Sequence, residues 1–106
     1  MQATQMYCIV VIVDTHFDDN IVGSMTLLIE MKFTHGCGRV GHIEDVVVDK
    51  ACRGKGFGKL LIDTGVDIAR AQQCYKVILD ASEANAPFYE KCGFKRKELQ
   101  MRCDLE

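Results

Sequence analysis

Apolar runs and polar breaks follow one another along this chain in a way that sets out its elements. Tyr7–Asp14 (YCIVVIVD) is an almost continuous β-branched run, which predicts a buried strand. Thr15–Asn20 (THFDDN) is polar and predicts a turn, and Ile21–Met31 is apolar again, so the two runs predict a hairpin. The stretch Thr34–Arg39 holds two glycines and predicts a loop. Gly41–Asp49 (GHIEDVVVD) predicts a third strand with a peculiarity, because Glu44 and Asp45 sit together at its centre beside Val46–Val48. Strands are poor in acids. Neighbours on a strand point to opposite faces, so on a one-sided sheet only one of the pair can face solvent and the other needs a reason.

Beyond a glycine-rich, basic stretch at Ala51–Lys59, the period changes. Leu60, Leu61, Thr64, Ile68 and Ala69 recur at helical spacing, with Gly65 a mild weakness in the stripe. Gln72–Cys74 closes this helix, and Tyr75–Asp80 (YKVILD) predicts a fourth strand. Asn85 is placed to cap a second, short helix with Pro87 in its first turn. Gly93 suits its C-cap, where positive φ is needed. A last strand is expected at about Leu99–Cys103. The order β-β-β-α-β-α-β requires at least one parallel pairing across a helical connection. The fold class is mixed α/β (α+β) around a single sheet, with residues 1–106 as one domain.

Composition narrows the function more than the fold. A chain of 106 residues makes one domain. Its formal charge of −2 argues against a nucleic-acid partner bound through a global basic face. No apolar run approaches the roughly 18–20 residues of a membrane span, so no membrane role is expected. Met1–Met6 lacks the charged and apolar regions of a secretory signal. The six cysteines, Cys8, Cys37, Cys52, Cys74, Cys92 and Cys103, form no C-x-x-C pair and no zinc-finger spacing with histidine. Reduced thiols in a cytoplasmic protein, and no metal, are the expectation.

The candidate chemistry lies in Arg53-Gly54-Lys55-Gly56-Phe57-Gly58-Lys59, between a strand and a helix. Glycines allow close backbone approach and positive φ. The first amides of a helix lack internal partners and, with the macrodipole, make an anion site. Arg53, Lys55 and Lys59 add charge suited to a phosphate or pyrophosphate. The P-loop pattern fails, because Leu60 stands where Ser or Thr should be. The dinucleotide pattern G-x-G-x-x-G fails because the glycines fall as G-x-G-x-G. A ligand-free tight turn would not need three glycines and three bases.

The same segment resembles the pyrophosphate loop R/Q-x-x-G-x-G/A of the GNAT acetyltransferases. Asn85-x-x-Phe88-Tyr89-x-x-x-Gly93-Phe94 is similar to that superfamily's second signature. The stretches Gly41–Lys59, Cys74–Asp80 and Phe88–Phe94 resemble, more narrowly, the eukaryotic glucosamine-6-phosphate N-acetyltransferases, and the likeness runs from about Ile21 to Arg102. That family usually carries a first strand and two helices ahead of the hairpin, a segment this sequence is expected to lack.

The resemblance implies transfer of the acetyl group of acetyl-CoA, a co-substrate, to the amino group of glucosamine 6-phosphate. Direct attack through a tetrahedral intermediate would give N-acetylglucosamine 6-phosphate for UDP-N-acetylglucosamine synthesis. It places the diphosphate on the Arg53–Lys59 amides and the pantetheine arm along Glu44–Val48, with Val46, Val47 and Val48 on the coenzyme side. Asn85, Phe88 and Tyr89 join them, with Tyr89 as general acid for the thiolate and Phe88 the better candidate for an aromatic packed under the sheet. Glu44, Asp45 and Asp80 line the sugar and its amine. Lys32, His35, Tyr75, Lys76 and Arg102 face the phosphate side, Arg102 reaching a partner's site in a homodimer. The group that accepts the amine proton stays open between a carboxylate, a water and a main-chain carbonyl. His16 and His42 carry no assigned role, and His42 reads as structural. Two alternatives stand beside this reading: a GNAT enzyme for another amine, such as a polyamine or protein lysine, and a non-catalytic fold that binds coenzyme A or a partner chain.

Overall fold

A computed structural model describes residues 5–16, 20–32, 36 and 38–106. Its elements are strands β1 (Gln5–Asp14), β2 (Asn20–Lys32) and β3 (Gly38–Val48), helix α1 (Phe57–Ala71), strand β4 (Cys74–Ile78) and helix α2 (Ala86–Lys91). A short 3-10 turn at Lys50–Cys52 links β3 to α1. The strands form one open sheet in the order β1-β2-β3-β4. The first two pairings are antiparallel and the third is parallel, as the crossover through α1 requires. Among the described residues, no helix is long and apolar enough to cross a membrane.

The core forms where α1 lies on β2 and β3. Met25, Leu27 and Ile29 from β2, Ile43 from β3, and Leu61, Ile62 and Ala69 from α1 are buried together. Each large side chain among them contributes about 1.5–3 kcal/mol by leaving water. The phase of α1 differs from the expected stripe: Leu61, Ile62, Gly65 and Ala69 face inward, while Leu60 is exposed. Gly65 is the point of closest approach rather than a weakness, because a Cβ there would collide with the Cε of Met25.

Two expectations fail for one reason: an apolar pattern does not say what lies across from it. β1 is an edge strand, not a buried one. Cys8, Val10 and Ile12 pack on the core, whereas Tyr7, Ile9, Val11 and Val13 on its other face are exposed. The expected last strand at Leu99–Cys103 has no ladder among the described residues. Its Leu99 is 88% exposed and its Met101 86%. A strand needs a partner for its backbone groups. Here the tail is held through side chains instead, with Gln100 Nε2 donating to Asp80 Oδ2 at 3.0 Å.

Candidate active site

The ladder between β3 and β4 runs from Arg39↔Cys74 to His42↔Ile78 and stops there. Strand β3 continues to Val48, so among the described residues its Ile43–Val48 edge faces no strand on the β4 side. On its other edge, the pairing passes from Ser24↔Val47 to Thr26↔Glu44, leaving Asp45 and Val46 opposite Met25. This is a β-bulge, and Asp45 adopts φ 53, a region aspartate enters more readily than most residues. The bulge breaks the strand's alternation. Glu44 and Asp45 are therefore both exposed, contrary to the expectation that only one could face solvent.

The parting of β3 from β4 opens a cleft of about 330 Å³ lined by Ile43, Glu44, Asp45, Val46, Leu79, Asp80 and Tyr89. Ile43 and Leu79 were not singled out in the sequence. Their signal was their position next to Glu44 and Asp80 in the sequence. Gln100, which reaches Asp80 from the tail, carried no such signal.

Tyr89 is held by the way α2 ends. Gly93 takes φ 99, and the Gly93 and Phe94 amides donate to the Glu90 and Tyr89 carbonyls at 3.1 and 3.0 Å. This is a Schellman motif, with Phe94 stacked edge-on to Tyr89 at 6.3 Å between centroids. Burial pushes the Tyr89 phenol above its ordinary range, and the neighbouring Cys92 adds to the shift. A phenol held in its neutral form carries the proton a general acid must give. The packing roles of the two aromatics are the reverse of the expectation: Tyr89 packs on the core, while Phe88 is the more exposed. Asn85 makes no side-chain cap. Instead its own amide donates to Ser82 Oγ at 3.2 Å, so Ser82 closes the turn before α2.

Beyond Val48 the chain turns sharply, with Asp49 Oδ1 accepting from the Ala51 amide at 2.9 Å. Gly54 and Gly56 then take φ 86 and 81, and a Cβ at either would meet nothing within 4 Å. Gly56 is the N-cap of α1 and provides no side-chain cap, so the helix's first amides are left for an outside acceptor. Arg53 and Lys55 are exposed and, among the described residues, enter no ion pair, whereas Lys59 Nζ lies 2.6 Å from Asp63 Oδ2. Gly58 packs against Phe88, whose Cζ would lie 3.2 Å from an added Cβ. This open, cationic turn fits a diphosphate, and Gly58 brings it against the helix that carries Tyr89. Val46 lies at the bulge, and Val47 and Val48 lie on the strand leading into the turn.

The remaining predicted residues do not line the cleft of this chain. Lys32, at the end of β2, pairs with Glu30 at 2.8 Å. Lys76 lies across from Val40, with its ammonium 5.6 Å from the centre of the Tyr75 ring. Arg102, in the tail, pairs with Asp104 at 2.9 Å. His35 falls outside the described residues. His42 is half-buried, with Nε2 3.3 Å from Glu30 Oε1.

A model of the acetyltransferase (GNAT) family matches residues 2–94. A glucosamine 6-phosphate N-acetyltransferase of Trypanosoma brucei brucei is 60% identical over 80% of this chain and 58% of its own length. The enzyme of that name from Schizosaccharomyces pombe is 42% identical over 91% of this chain and 86% of its own length. The crystal structure of the Arabidopsis thaliana glucosamine-6-phosphate N-acetyltransferase superposes with a TM-score of 0.89 at 43% identity, over 94% of this chain and 67% of that one. The chain thus spans less than two thirds of several relatives it matches, 58% of the trypanosomal and 62% of the Arabidopsis sequence. With a family model over most of its length and a relative covered almost whole, the chain belongs to the GNAT acetyltransferase family.

Proposed function

We propose that this chain transfers the acetyl group of acetyl-CoA to the amino group of glucosamine 6-phosphate. The observation that carries the reading is the meeting of Glu44, Asp45, Asp80 and Tyr89 around one cleft, where β3 leaves β4. Its volume of about 330 Å³ sits at the low end of ligand pockets, about 300–1,000 Å³. That suits a sugar amine beside a thioester, with the rest of the coenzyme lying along the surface.

The amides of Phe57–Lys59 would bind the diphosphate, with Arg53 and Lys55 adding charge. The open edge of β3 near Val46–Val48 would hold the pantetheine arm by main-chain hydrogen bonds, and a Val46 amide would orient the thioester oxygen. When bound, the coenzyme supplies the activated acyl group. Tyr89 holds the proton that the departing sulfur needs. Glu44, Asp45 and Asp80 bind the hydroxyls and ammonium of the sugar and orient the nitrogen.

Lys32, Tyr75, Lys76 and Arg102 stand as candidates for the phosphate side. Arg102 lies on an exposed tail, which supports a homodimer in which that tail reaches the other copy's site. A cytoplasmic location, and a product that feeds UDP-N-acetylglucosamine synthesis, complete the proposal.

The test follows free thiol as purified chain is incubated with acetyl-CoA and glucosamine 6-phosphate, glucosamine, a polyamine or a lysine peptide. Release with the phosphorylated sugar and little with the rest is the expected result. Release with another amine alone would replace the acceptor, and acetyl-CoA binding without any release would reduce the chain to a binding fold.

A further inference from the structure

His42 stands beside the cleft without a task in the chemistry just described. It is the last residue of β3 paired with β4, across from Ile78 there and from Leu28 on β2, and shares a face with Glu44 two residues on. A second, smaller cavity is lined by His42, Ile43, Glu44, Ile78, Leu79 and Asp80. It shares Ile43, Glu44, Leu79 and Asp80 with the main cleft. At about 60 Å³ it is too small for a sugar. It has room for a few waters, since one needs only about 10–15 Å³ of such volume and two or more polar partners.

Behind the imidazole, Glu30 Oε1 lies 3.3 Å from Nε2 and also 2.8 Å from Lys32 Nζ. Lys32 above all, with help from His42, holds the Glu30 carboxyl below its ordinary range. Glu30 is therefore ionised and can only accept hydrogen bonds. Nε2 then carries its hydrogen toward Glu30, and the neutral ring is left with Nδ1 as its acceptor.

We propose that His42 is a positioning residue for deprotonation of the acceptor. Through water in the small cavity, it takes up the proton that the sugar's ammonium gives to Glu44 or Asp80. The proposal rests on reading the chain as an amine acetyltransferase. One N–H bond breaks on the ammonium and one forms at Nδ1, the carboxylate that passes the proton on returns to its ionised form, and no electrons change hands. A carboxylate alone is a weak sink, with an ordinary pKa of about 4, against about 6.5 for imidazole. The charged groups on this face are Glu30 and Lys32 from β2, Glu44 from β3, Lys76 from β4 and Asp80 just after it. Carboxylates outnumber ammoniums around His42. Its side chain is 23% exposed, which gives the proton a way out to solvent.

The test measures kcat and both KM values against pH with acetyl-CoA and glucosamine 6-phosphate. His42→Gln keeps a hydrogen-bond donor for Glu30 but cannot take up the proton. Its kcat should fall about 10²-fold with both KM values within about twofold of the parent. The parent should lose kcat as pH falls, and His42→Gln should not show that decline. Glu30→Gln keeps the shape and removes the counter-charge, so imidazolium forms less readily and that decline should move to lower pH.

A His42→Gln enzyme with the parent's kcat and pH profile, or with only a raised KM, overturns the proposal. If His42→Gln loses acetyl-CoA binding, Glu30→Gln decides alone, and an unmoved acid decline overturns it. A parent chain that acetylates a different amine overturns the proposed acceptor, while the same two variants assayed on that amine still decide the relay. A chain that acetylates no amine overturns both.

Discussion

From Arg39 to His42, β3 is held on one edge by β2 and on the other by β4. From Ile43 to Val48 it keeps only β2, and even that pairing is interrupted at Asp45 and Val46. The first part is ordinary sheet. Val40 is fully buried, and Gly41 lets Ala69 and Leu27 close in, each 3.3 Å from where a Cβ would sit. The second part gives up ladder hydrogen bonds, turns two acids outward and leaves main-chain groups open toward a cleft. A few residues of one strand thus separate the requirements of folding from those of binding. The sequence crosses that line where valine and isoleucine give way to Glu44-Asp45.

If the division is real, substitutions in the packed part should change stability and leave chemistry alone. Leu27 pairs with Ile43 and is fully buried under α1. Leu27→Ala should cost about 2–5 kcal/mol, read as a lower denaturation midpoint, with turnover per folded molecule unchanged. A matching loss of turnover at a temperature where the variant remains folded would break the comparison.

Tyr89 tests the other side. Tyr89→Phe removes one hydroxyl and keeps the ring contacts with Phe88 and Phe94, at 5.1 and 6.3 Å. Turnover should fall about 10²-fold, worth about 2.7 kcal/mol. The thermal midpoint and acetyl-CoA affinity should stay near the parent's. Burial raises the Tyr89 pKa, and an acid with a raised pKa loses its proton only as pH climbs through that higher value. Tyr89 should therefore impose no alkaline decline on activity near neutral pH. An alkaline decline in the parent that is absent from Tyr89→Phe would contradict both the shift and its cause.

Much of this division was legible beforehand. The hairpin, the crossover helix, the cationic glycine turn and the Gly93 cap each rest on residues whose local conformational needs are strong, so they could be placed without knowing their neighbours. The oddity of adjacent acids in a valine strand was also visible, but its solution was not. A bulge depends on the register of Ser24 and Thr26 across the ladder, and no single strand's pattern contains that information. Leu60 and β1 went astray for a related reason. Apolar character predicts burial only when another element covers that face, and Leu60, Ile9 and Val11 are apolar on faces that remain open. The phosphate-side residues were named by resemblance, and the single chain leaves Lys32, Lys76 and Arg102 in pairings away from the cleft.

The smallest expected effect bears most directly on how the two parts of β3 are joined. Asp45 sits at φ 53, where a Cβ is disfavoured and a β-branched residue is worst placed. Were the segment a regular strand, Asp45→Val would extend the valine run and stabilise it. Because the segment is bulged, Asp45→Val should cost about 1–2 kcal/mol. Asp45→Gly should be neutral or stabilising by up to about 1 kcal/mol, since glycine takes positive φ without strain. Both remove the same carboxylate, so any loss of turnover they share reports the charge. The difference in their melting temperatures reports the backbone. Equal melting temperatures, or a more stable valine variant, would mean that the bulge does not persist in solution, and the outward pair of acids would lose its structural cause.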